Sequence, residues 1–237
     1  MKLKKGKMIY EGKAKKIFTT DDPDLYIQHF KDDATAFNAK KRGTIVDKGV
    51  MNNKISERLF KLLESVGVPT HFVKRVNDRD MVVKRLEIIP VEVVVRNLIA
   101  GSMSKRLGIP EGTKAKKPII EFYYKSDALD DPLVNDDTAI ALGWATAQDL
   151  RAIKAMVRKV NSTLRKFFSD RGLILVDFKL EFGRHNGKIL LGDEICPDTC
   201  RLWDKKTMEK MDKDRFRRDL GNVEEAYKEV CRRVCEE

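Results

Sequence analysis

The stretch from Leu173 to Asp198 constrains the fold of this chain more than any other part of the sequence. Polar and apolar residues alternate in its first half, which predicts a strand with two different faces. One face carries the apolar side chains of Ile174, Val176, Phe178, Leu180 and Phe182, and the other carries Asp177, Lys179 and Glu181. A tight turn and a second strand from Lys188 to Ile195, which carries Asp193 and Glu194, are expected to follow. We therefore expect a hairpin with one face in the core.

The charged face of this hairpin has two possible interpretations. Carboxylates beside a lysine on a rigid sheet suit a metal ion and a phosphate group. The same alternation also describes a solvated strand face. A two-residue turn at Asn186-Gly187 would place Glu181 opposite Gly192 and Asp193 on the other face. A metal ion shared by Glu181 and Asp193 therefore requires a bulge or a turn with an odd residue count.

The composition limits the class of protein. Among 237 residues, 36% are charged and 42% hydrophobic, which is typical of a globular protein with one large domain or two small lobes around a cleft. No apolar run approaches the roughly 20 residues that span a bilayer, and the lysine-rich start lacks the apolar stretch of a signal peptide. We therefore expect a cytoplasmic protein with no membrane partner.

The positive charge is concentrated at one end of the chain. The formal net charge is +11, and the first sixteen residues hold seven lysines against a single acid, Glu11. This distribution argues against a broad nucleic-acid surface. It favours either a solvated tail or lysines directed at a polyanionic small molecule.

Two glycine-containing segments are candidates for phosphate binding. The segment Gly12 to Lys15 (GKAK) falls between two short predicted strands, where backbone N–H groups and lysines can approach a phosphate. The segment Arg96 to Gly108 leaves a strand, passes through Gly101 and Ser102, and enters a short predicted helix. Free N–H groups, a hydroxyl and the arginine suit a phosphate monoester there. An ordinary hairpin and a plain helix cap are the alternative interpretations.

The remaining pattern predicts an α+β fold. Helices are predicted from apolar periodicity at Asn53 to Val66, Thr146 to Asp170 and Val223 to Val234. Strands are predicted at Leu25 to Phe30, Met81 to Leu86 and Val91 to Val95, with Pro90 separating the last two. Residues 110–137 are polar and irregular, so we expect a binding loop or lid there.

The four cysteines form two pairs with C-x3-C spacing, Cys196 with Cys200 and Cys231 with Cys235. Zinc sites more often use C-x2-C spacing, so we expect reduced thiols without a metal. A disulfide or a metal site in either pair is the alternative.

Several longer strings follow one another along the chain: YEGKAKKIF, DATAFN, KGVMNNKIS, PVEVVVRNLIAGSMSKRLG, DDPLVN, LVDFKLEFG, GDEICPDTCRLWD and MDKDRFRRDLG. In this combination the chain resembles the phosphoribosylaminoimidazole-succinocarboxamide (SAICAR) synthetase family over nearly its whole length. The resemblance implies two lobes with ATP between them. Residues 1–88 would form an antiparallel β lobe similar to a kinase small lobe. Residues 89–237 would form an ATP-grasp-like lobe for substrate and metal.

The resemblance also implies an activity. Members of this family are ATP-dependent ligases of de novo purine biosynthesis, in the pathway to IMP. They join the carboxylate of carboxyaminoimidazole ribonucleotide to L-aspartate through an acyl phosphate, and give SAICAR, ADP and phosphate. The implied requirements are ATP as co-substrate, Mg²⁺, and no enzyme nucleophile. A homodimer is also expected from the family.

The resemblance assigns roles to individual residues. The ATP-binding residues would be Gly12, Lys13, Ala14, Lys15 and Lys84. The substrate-binding residues would be Arg96, Ser102, Arg201, Lys125 and Asp131. From its place in the sequence, Arg201 is expected near Asp193 and Glu194, where a structural ion pair is the alternative to substrate binding. The metal ligands would be Glu181 and Asp193, with Lys179 and Asp177 as catalytic neighbours. The basic turn from Lys213 to Arg218 is expected near the cleft.

Two other functions fit parts of the pattern. A small-molecule kinase would use the same lysines and carboxylates, but it would release ADP without aspartate. An RNA-binding module would explain the net charge of +11, but the aromatic content is 8% and no RNP-like or helix-turn-helix string occurs.

Overall fold

The N-terminal part of the chain builds an antiparallel sheet against one long helix. The computed structural model describes residues 3–36 and 40–236, so Phe37 and Asn38 of the DATAFN string lie outside the described residues. The elements of this part are β1 (Lys5–Glu11), β2 (Lys15–Thr20), β3 (Leu25–Phe30), β4 (Asp33–Ala36), β5 (Lys41–Thr44), α1 (Lys48–Ser65), β6 (Phe72–Arg75) and β7 (Asp80–Lys84). The first sheet has the strand order β1-β2-β3-β7-β6, and β4 pairs separately with β5.

Helix α1 begins five residues before the predicted start at Asn53. Its first turns contain Gly49, Asn52 and Asn53, which have low helix propensity. The apolar periodicity on which the prediction rested starts only after these residues, so it did not indicate the first turns of the helix. Tertiary contacts supply the missing stability. The Asn53 amide donates to the carbonyl oxygens of Asn77 and Asp78, each at 3.0 Å.

The C-terminal part builds a second antiparallel sheet with helices around it. Its elements are β8 (Glu87–Leu98), α2 (Gly101–Leu107), β9 (Lys114–Tyr124), β10 (Leu133–Val134), α3 (Asp136–Ala141), α4 (Ala147–Asp170), β11 (Leu173–His185), β12 (Lys188–Leu191), β13 (Cys200–Asp204), α5 (Asp214–Arg217) and α6 (Val223–Cys235). The strand order is β10-β9-β8-β11-β12, and β13 also pairs with β11. The predicted α+β class is confirmed.

Two predictions about this second sheet were wrong. Pro90 does not separate two strands, because β8 runs through it. The proline lies just beyond the last β8–β9 pair, Val91 with Tyr124, and within the register shift of the β8–β11 pairing, where a strand tolerates a missing N–H. Residues 110–137 are not irregular throughout, because β9 occupies residues 114–124. The lysines at the start of β9 make the segment polar in sequence, although it forms a strand that pairs with the apolar β8.

The face assignment within β11 also needs correction. The pairing with β13 shifts register between Leu175 and Asp177, which places a bulge at Val176. A bulge changes the alternation of side chains along a strand. Val176 therefore packs with Ala100 and Trp203, while Phe178 lies in the main core. Of the predicted apolar face, Phe178, Leu180 and Phe182 lie in the main core. Ile174 and Val176 pack in the separate cluster with Ala100 and Trp203.

Helix α4 supports the hairpin from its apolar side, as predicted. Thr146 caps the helix, and its side chain and that of Asp149 form a reciprocal capping box. The buried stripe of α4 includes Val157 and Leu164, which share the main core with Phe178 of β11. None of the helices in the described part of the chain is long and apolar enough to cross a membrane.

Candidate active site

A cavity of about 790 Å³ is lined by residues from both parts of the chain. The turn between β1 and β2, the middle of β11 and the segment after β12 all contribute to its wall. Two further cavities share residues with it. One of about 420 Å³ is mostly apolar, and one of about 260 Å³ contains arginines. We refer to the 790 Å³ cavity as the cleft.

The glycine–lysine turn forms one wall of the cleft. Gly12, Lys13, Ala14 and Lys15, the predicted phosphate-binding turn, all line it. The Gly12 N–H donates to the Lys15 carbonyl oxygen at 2.9 Å, which closes the turn. Lys13 reaches across to Asp127 at 2.7 Å. The turn therefore presents two lysines and is held by a contact to the opposite wall.

The hairpin brings Glu181 and Asp193 to the same cleft by a route that the sequence did not predict. Strands β11 and β12 are joined by the regular two-residue turn at Asn186-Gly187, and the Gly192 N–H donates to the Glu181 carbonyl oxygen at 2.9 Å. In a continuing strand Asp193 would then lie on the wrong face. However, β12 ends at Leu191, and Asp193 adopts a left-handed conformation with φ of 61°. Both carboxylates line the cleft as a result.

The carboxylates of the cleft are paired with lysines. Lys15 forms ion pairs with both Asp193 and Glu194, and Lys125 forms one with Glu181. Among the described residues, no group of three or more His, Cys, Asp or Glu side chains is assembled as a metal site. Mg²⁺ commonly uses one or two protein carboxylates and takes its other ligands from phosphates and water. The carboxylates Glu181 and Asp193 fit that requirement.

Lys179 lies between two carboxylates on the polar face of β11. Its Nζ atom is 2.8 Å from Glu92 and 3.6 Å from Glu181. Burial alone would lower the pKa of Lys179, but Glu92 and Glu181 outweigh burial and raise it. Burial would likewise raise the pKa of Glu181, but Lys179, Lys125 and Lys15 lower it to about 2. Both groups are therefore charged at neutral pH.

An apolar cavity opens beside the charged cleft. It is lined mainly by Ile9, Ile17, Tyr26, Val83, Leu86 and Ile88, and it shares Lys15, Lys125, Glu181 and Asp193 with the cleft. Lys84 lies at this cavity, where its Nζ atom donates to the Thr70 carbonyl oxygen at 3.3 Å. A flat apolar group with a charged extension fits the combined shape.

Two arginines are held side by side by one buried carboxylate. Asp177 accepts from Arg96 Nη1 at 2.8 Å and from Arg201 Nη1 at 2.9 Å through the same Oδ2 atom. Arg96 is also fixed through Nε by Glu121 at 2.6 Å, and its Nη2 atom reaches Ser102 Oγ at 3.2 Å. The predicted residues Arg96, Ser102 and Arg201 therefore come together, and all three line the 260 Å³ cavity.

The partners of Arg201 differ from those expected. Within the described part of the chain its ion pairs are with Asp177 and Asp214, not with Asp193 and Glu194. Strand β13 pairs with β11 so that Arg201 lies opposite Asp177, which directs the guanidinium to the arginine pair. Burial would lower the pKa of Arg201, but Asp177 and Asp214 outweigh burial and raise the pKa above its ordinary value. Arg201 is a permanent cation at this site.

The loop after β9 closes one side of the cleft. Lys125 and Asp131 both line the cleft, as predicted. The Asp131 carboxylate accepts from the Ser126 N–H at 2.8 Å, and Asp130 and Asp131 both have positive φ values. This local hydrogen bond gives the loop a defined shape.

The sequence did not predict Glu92 and Asp198, which line the cleft, or the buried partners of Asp198. Glu92 is the carboxylate opposite Glu181 in the β8–β11 ladder, and a lone acid between valines in VEVVV was the available signal. Lys48, buried at the start of α1, pairs with Asp198 at 2.6 Å, and Tyr227 of α6 donates to the same carboxylate at 2.6 Å. No local pattern indicates these long-range contacts. Lys213, in the basic turn noted above, lines the cleft as expected.

The fold is α+β, and its cleft, which is lined by lysines and carboxylates, is built from both antiparallel sheets, as is typical of enzymes that bind phosphorylated ligands. Residues 8–234 match the model of one protein family, described as SAICAR synthetase. The chain belongs to the SAICAR synthetase family.

The similarity to individual relatives covers almost the entire chain. A phosphoribosylaminoimidazole-succinocarboxamide synthase of Desulfitobacterium hafniense strain Y51 is 59% identical over 234 residues, which are 99% of this chain and 98% of the relative. The crystal structure of the synthase from Ehrlichia chaffeensis is 52% identical with a TM-score of 0.95, over 96% of this chain and 98% of that chain. A SAICAR synthetase solved in complex with ADP is 48% identical with a TM-score of 0.93, over 96% and 97% of the two chains.

Proposed function

We propose that the cleft performs the ATP-dependent ligation of carboxyaminoimidazole ribonucleotide to L-aspartate, with SAICAR, ADP and phosphate as products. Membership in the SAICAR synthetase family makes the chain an ATP-dependent amide-forming ligase of purine biosynthesis. The observation that carries the residue-level proposal is the arrangement of two separate cationic sites on either side of Lys179. One is the lysine turn beside the apolar cavity, and the other is the arginine pair on Asp177.

The nucleotide fits the apolar cavity and the lysine turn. We place the purine ring against Tyr26 and Val83 near Lys84, and the phosphates at Gly12, Lys13, Ala14 and Lys15. The backbone N–H groups of such a turn and its lysines are suited to phosphate oxygens. The relative solved with ADP supports a nucleotide in this cleft. Lys15 would exchange carboxylate contacts for phosphate contacts when the nucleotide binds.

Glu181 and Asp193 would hold Mg²⁺. They line the cleft beside the proposed phosphate position, and the lowered pKa of Glu181, about 2, keeps its carboxylate ionised. The metal ion would neutralise negative charge on the phosphates during transfer. Lys15 and Lys125, which pair with these carboxylates, are then available for the phosphate oxygens.

The ribonucleotide phosphate fits the arginine pair. Arg96 and Arg201 present their guanidinium groups to the 260 Å³ cavity, and Ser102 adds a hydroxyl donor. Charge-assisted contacts from two guanidinium groups suit a phosphate monoester. Asp177 accepts from both arginines, so we assign it the role of positioning them. The imidazole carboxylate of the substrate would then extend toward Lys179.

Lys179 would act on the transferring phosphoryl group as a cation. Its raised pKa means that it keeps its proton through neutral pH, which excludes it as a general base. A fixed positive charge stabilises the charge that develops during phosphoryl transfer. The acyl phosphate formed in this step carries a good leaving group, which the amine of L-aspartate displaces. Lys125 and Asp131, in the loop that closes one side of the cleft, would bind substrate there and reduce access of water.

The test is ADP release from the purified protein with Mg-ATP and carboxyaminoimidazole ribonucleotide, with and without L-aspartate. We expect ADP release to depend on aspartate. Release without aspartate would instead identify a kinase that phosphorylates the ribonucleotide. Removal of divalent metal with EDTA should stop the reaction, and Mg²⁺ should restore it.

Two variants separate the sites. Glu181→Gln should lose activity, because one proposed metal ligand is neutralised. Ser102→Ala should raise KM for the ribonucleotide about fivefold with little change in KM for ATP, as expected for the loss of one hydrogen bond. Arg96→Ala is a less specific test, because it removes one partner from each of the buried carboxylates Glu121 and Asp177, which also pair with Arg106 and Arg201. An equal rise in both KM values for Ser102→Ala would contradict the proposed phosphate site.

The lobes, the assembly and the location are further parts of the proposal. The division into residues 1–88 and 89–237 is supported by the strands of the first sheet, which end at Lys84, and those of the second, which begin at Glu87. Limited proteolysis with cleavage between residues 85 and 88 would test it. We also propose a homodimer in the cytoplasm. A monomeric mass in sedimentation equilibrium would contradict the dimer.

A further inference from the structure

The C-x3-C pair on α6 differs from the other cysteine pair in its surroundings. All four cysteines are free thiols. Cys196 and Cys200 are buried, and burial raises the pKa of both thiols. Cys231 and Cys235 are only half-buried and line a cavity of about 590 Å³ between α1 and α6, away from the cleft. The α6 pair is therefore the pair that a reagent in solution can reach.

The cavity beside this pair is strongly basic. Its lining holds six basic side chains against the two carboxylates of Glu57 and Glu236: Lys54, Arg58, Lys61, Arg75, Lys228 and Arg232. Glu57 is already engaged by Lys61 and Arg75. Lys54 and Lys228 form no salt bridge within residues 3–36 and 40–236. This concave surface therefore attracts anions directly beside the two thiols.

The two thiols have different chemical character. They lie one helical turn apart, hydrogen-bond to each other, and share the nearby charge of Lys54. The hydrogen bond from Cys235 and the charge of Lys54 lower the pKa of Cys231, although burial opposes this shift. The same hydrogen bond and burial raise the pKa of Cys235. This is the asymmetry of an attacking thiol and a resolving thiol.

We propose that Cys231 and Cys235 form a thiol–disulfide exchange site that reacts with anionic low-molecular-weight disulfides docked in the basic cavity. The Cys231 thiolate attacks one sulfur of the disulfide, the S–S bond breaks, and one thiolate leaves. Cys235 then loses its proton to solvent and attacks the Cys231 sulfur, which releases the second thiolate. The two protein thiols lose two electrons, and the small disulfide gains them.

The final disulfide requires the end of α6 to adjust, because Cβ atoms four residues apart in a helix are about 5–6 Å apart and those of a disulfide are roughly 3.5–4.5 Å apart. Residues four apart in a helix have Cα atoms about 6 Å apart, inside the range of roughly 4.4–6.8 Å found in disulfides. Cys235 is the last residue of α6, so only the terminal turn has to adjust. A metal site is not favoured, because no group of three or more His, Cys, Asp or Glu side chains is assembled as a metal site among the described residues.

The experiment compares two disulfides of opposite charge. The full-length protein is incubated with oxidised glutathione, which is anionic, or with cystamine, which is cationic, and intact mass and peptide mapping follow the products. We expect oxidised glutathione to react faster and to end in a Cys231–Cys235 disulfide. Cys235→Ser should stop at a mixed disulfide on Cys231, and Cys231→Ser should remove the fast reaction.

Charge variants test the cavity itself. Lys54→Glu should slow oxidised glutathione about tenfold relative to cystamine, because it reverses a charge beside the thiols. Lys188→Glu makes the same charge change on exposed β12, outside the cavity, and should leave the ratio unchanged. Cystamine reacting as fast as oxidised glutathione, an equal effect of both lysine variants, or modification centred on Cys196 or Cys200 would each overturn the proposal.

Discussion

The guanidinium group of Arg201 lies 2.6 Å from the position that a Cβ atom would take on Gly101. Gly101 also has a φ of 58°, which disfavours residues with a side chain. Arg201 cannot move away easily, because Asp177 and Asp214 both hold it. We predict that Gly101→Ala displaces Arg201 and raises KM for the ribonucleotide roughly tenfold, with KM for ATP little changed. Steady-state kinetics with each substrate varied in turn measures both values.

Gly108 provides the matched control for this variant. It follows the same short helix with a φ of 65°, but nothing lies within 4 Å of its would-be Cβ atom. Gly108→Ala introduces the same backbone strain, about 1 kcal/mol, without a contact to Arg201. The same rise in KM for both variants would show that strain, and not the arginine, is responsible.

The buried ion pair of Lys48 and Asp198 should be sensitive to removal of one partner. The Lys48 side chain is 0% exposed and that of Asp198 is 3% exposed. Lys48→Met leaves a buried carboxylate with Tyr227 at 2.6 Å and the more distant Lys213 at 3.9 Å as its partners, and we expect a loss of about 3 kcal/mol in the free energy of unfolding. Urea denaturation measures this loss. Lys166→Ala, which removes an exposed pair with Asp170, should cost less than about 0.5 kcal/mol.

The lowered pKa of Glu181 predicts how stability depends on pH. Its pKa falls from 4.5 to about 2 in the folded protein, because Lys179, Lys125 and Lys15 outweigh the effect of burial. The folded state therefore binds fewer protons than the unfolded state between these values. The contribution of Glu181, on the order of 3 kcal/mol, is present above about pH 4.5 and is lost as the pH falls toward 2.

Urea denaturation at pH 5, 4 and 3 checks this prediction. Wild-type stability should fall more steeply over this range than that of Glu181→Gln, which has no carboxylate to protonate at this position. The exposed Glu87→Gln should follow the wild type. An unchanged slope in Glu181→Gln would mean that the three lysines do not control this carboxylate.

The capping box of α4 gives a prediction independent of the cleft. The Thr146 hydroxyl accepts from the Asp149 N–H at 3.1 Å, and the Asp149 carboxylate accepts from the Thr146 N–H at 2.8 Å. Thr146→Ala should lower the free energy of unfolding by about 1 kcal/mol without changing KM for any substrate. Ser162→Ala, at an exposed position of the same helix, should stay within about 0.5 kcal/mol of wild type. Thermal or urea denaturation compares the two variants.

Local signals predicted much of the secondary structure. Apolar periodicity and a capping box identified α4, and the Asn186-Gly187 turn identified the β11–β12 hairpin. Both signals act over a few residues, so the sequence contains all the information they need. The start of α1 and the whole of β9 were missed, because contacts from distant segments stabilise them against their local propensity.

The sequence by itself determined the α+β class, the α4 helix, the hairpin turn and the types of residue available for chemistry. Only the tertiary structure decided that Asp193 turns into the cleft, because β12 ends before it, and that Asp177 joins Arg96 to Arg201, because a bulge at Val176 and the register with β13 align them. Helix caps and tight turns depend on neighbours in the chain. Strand ends, bulges and buried ion pairs depend on contacts between distant segments, such as Lys48 and Asp198, which are 150 residues apart.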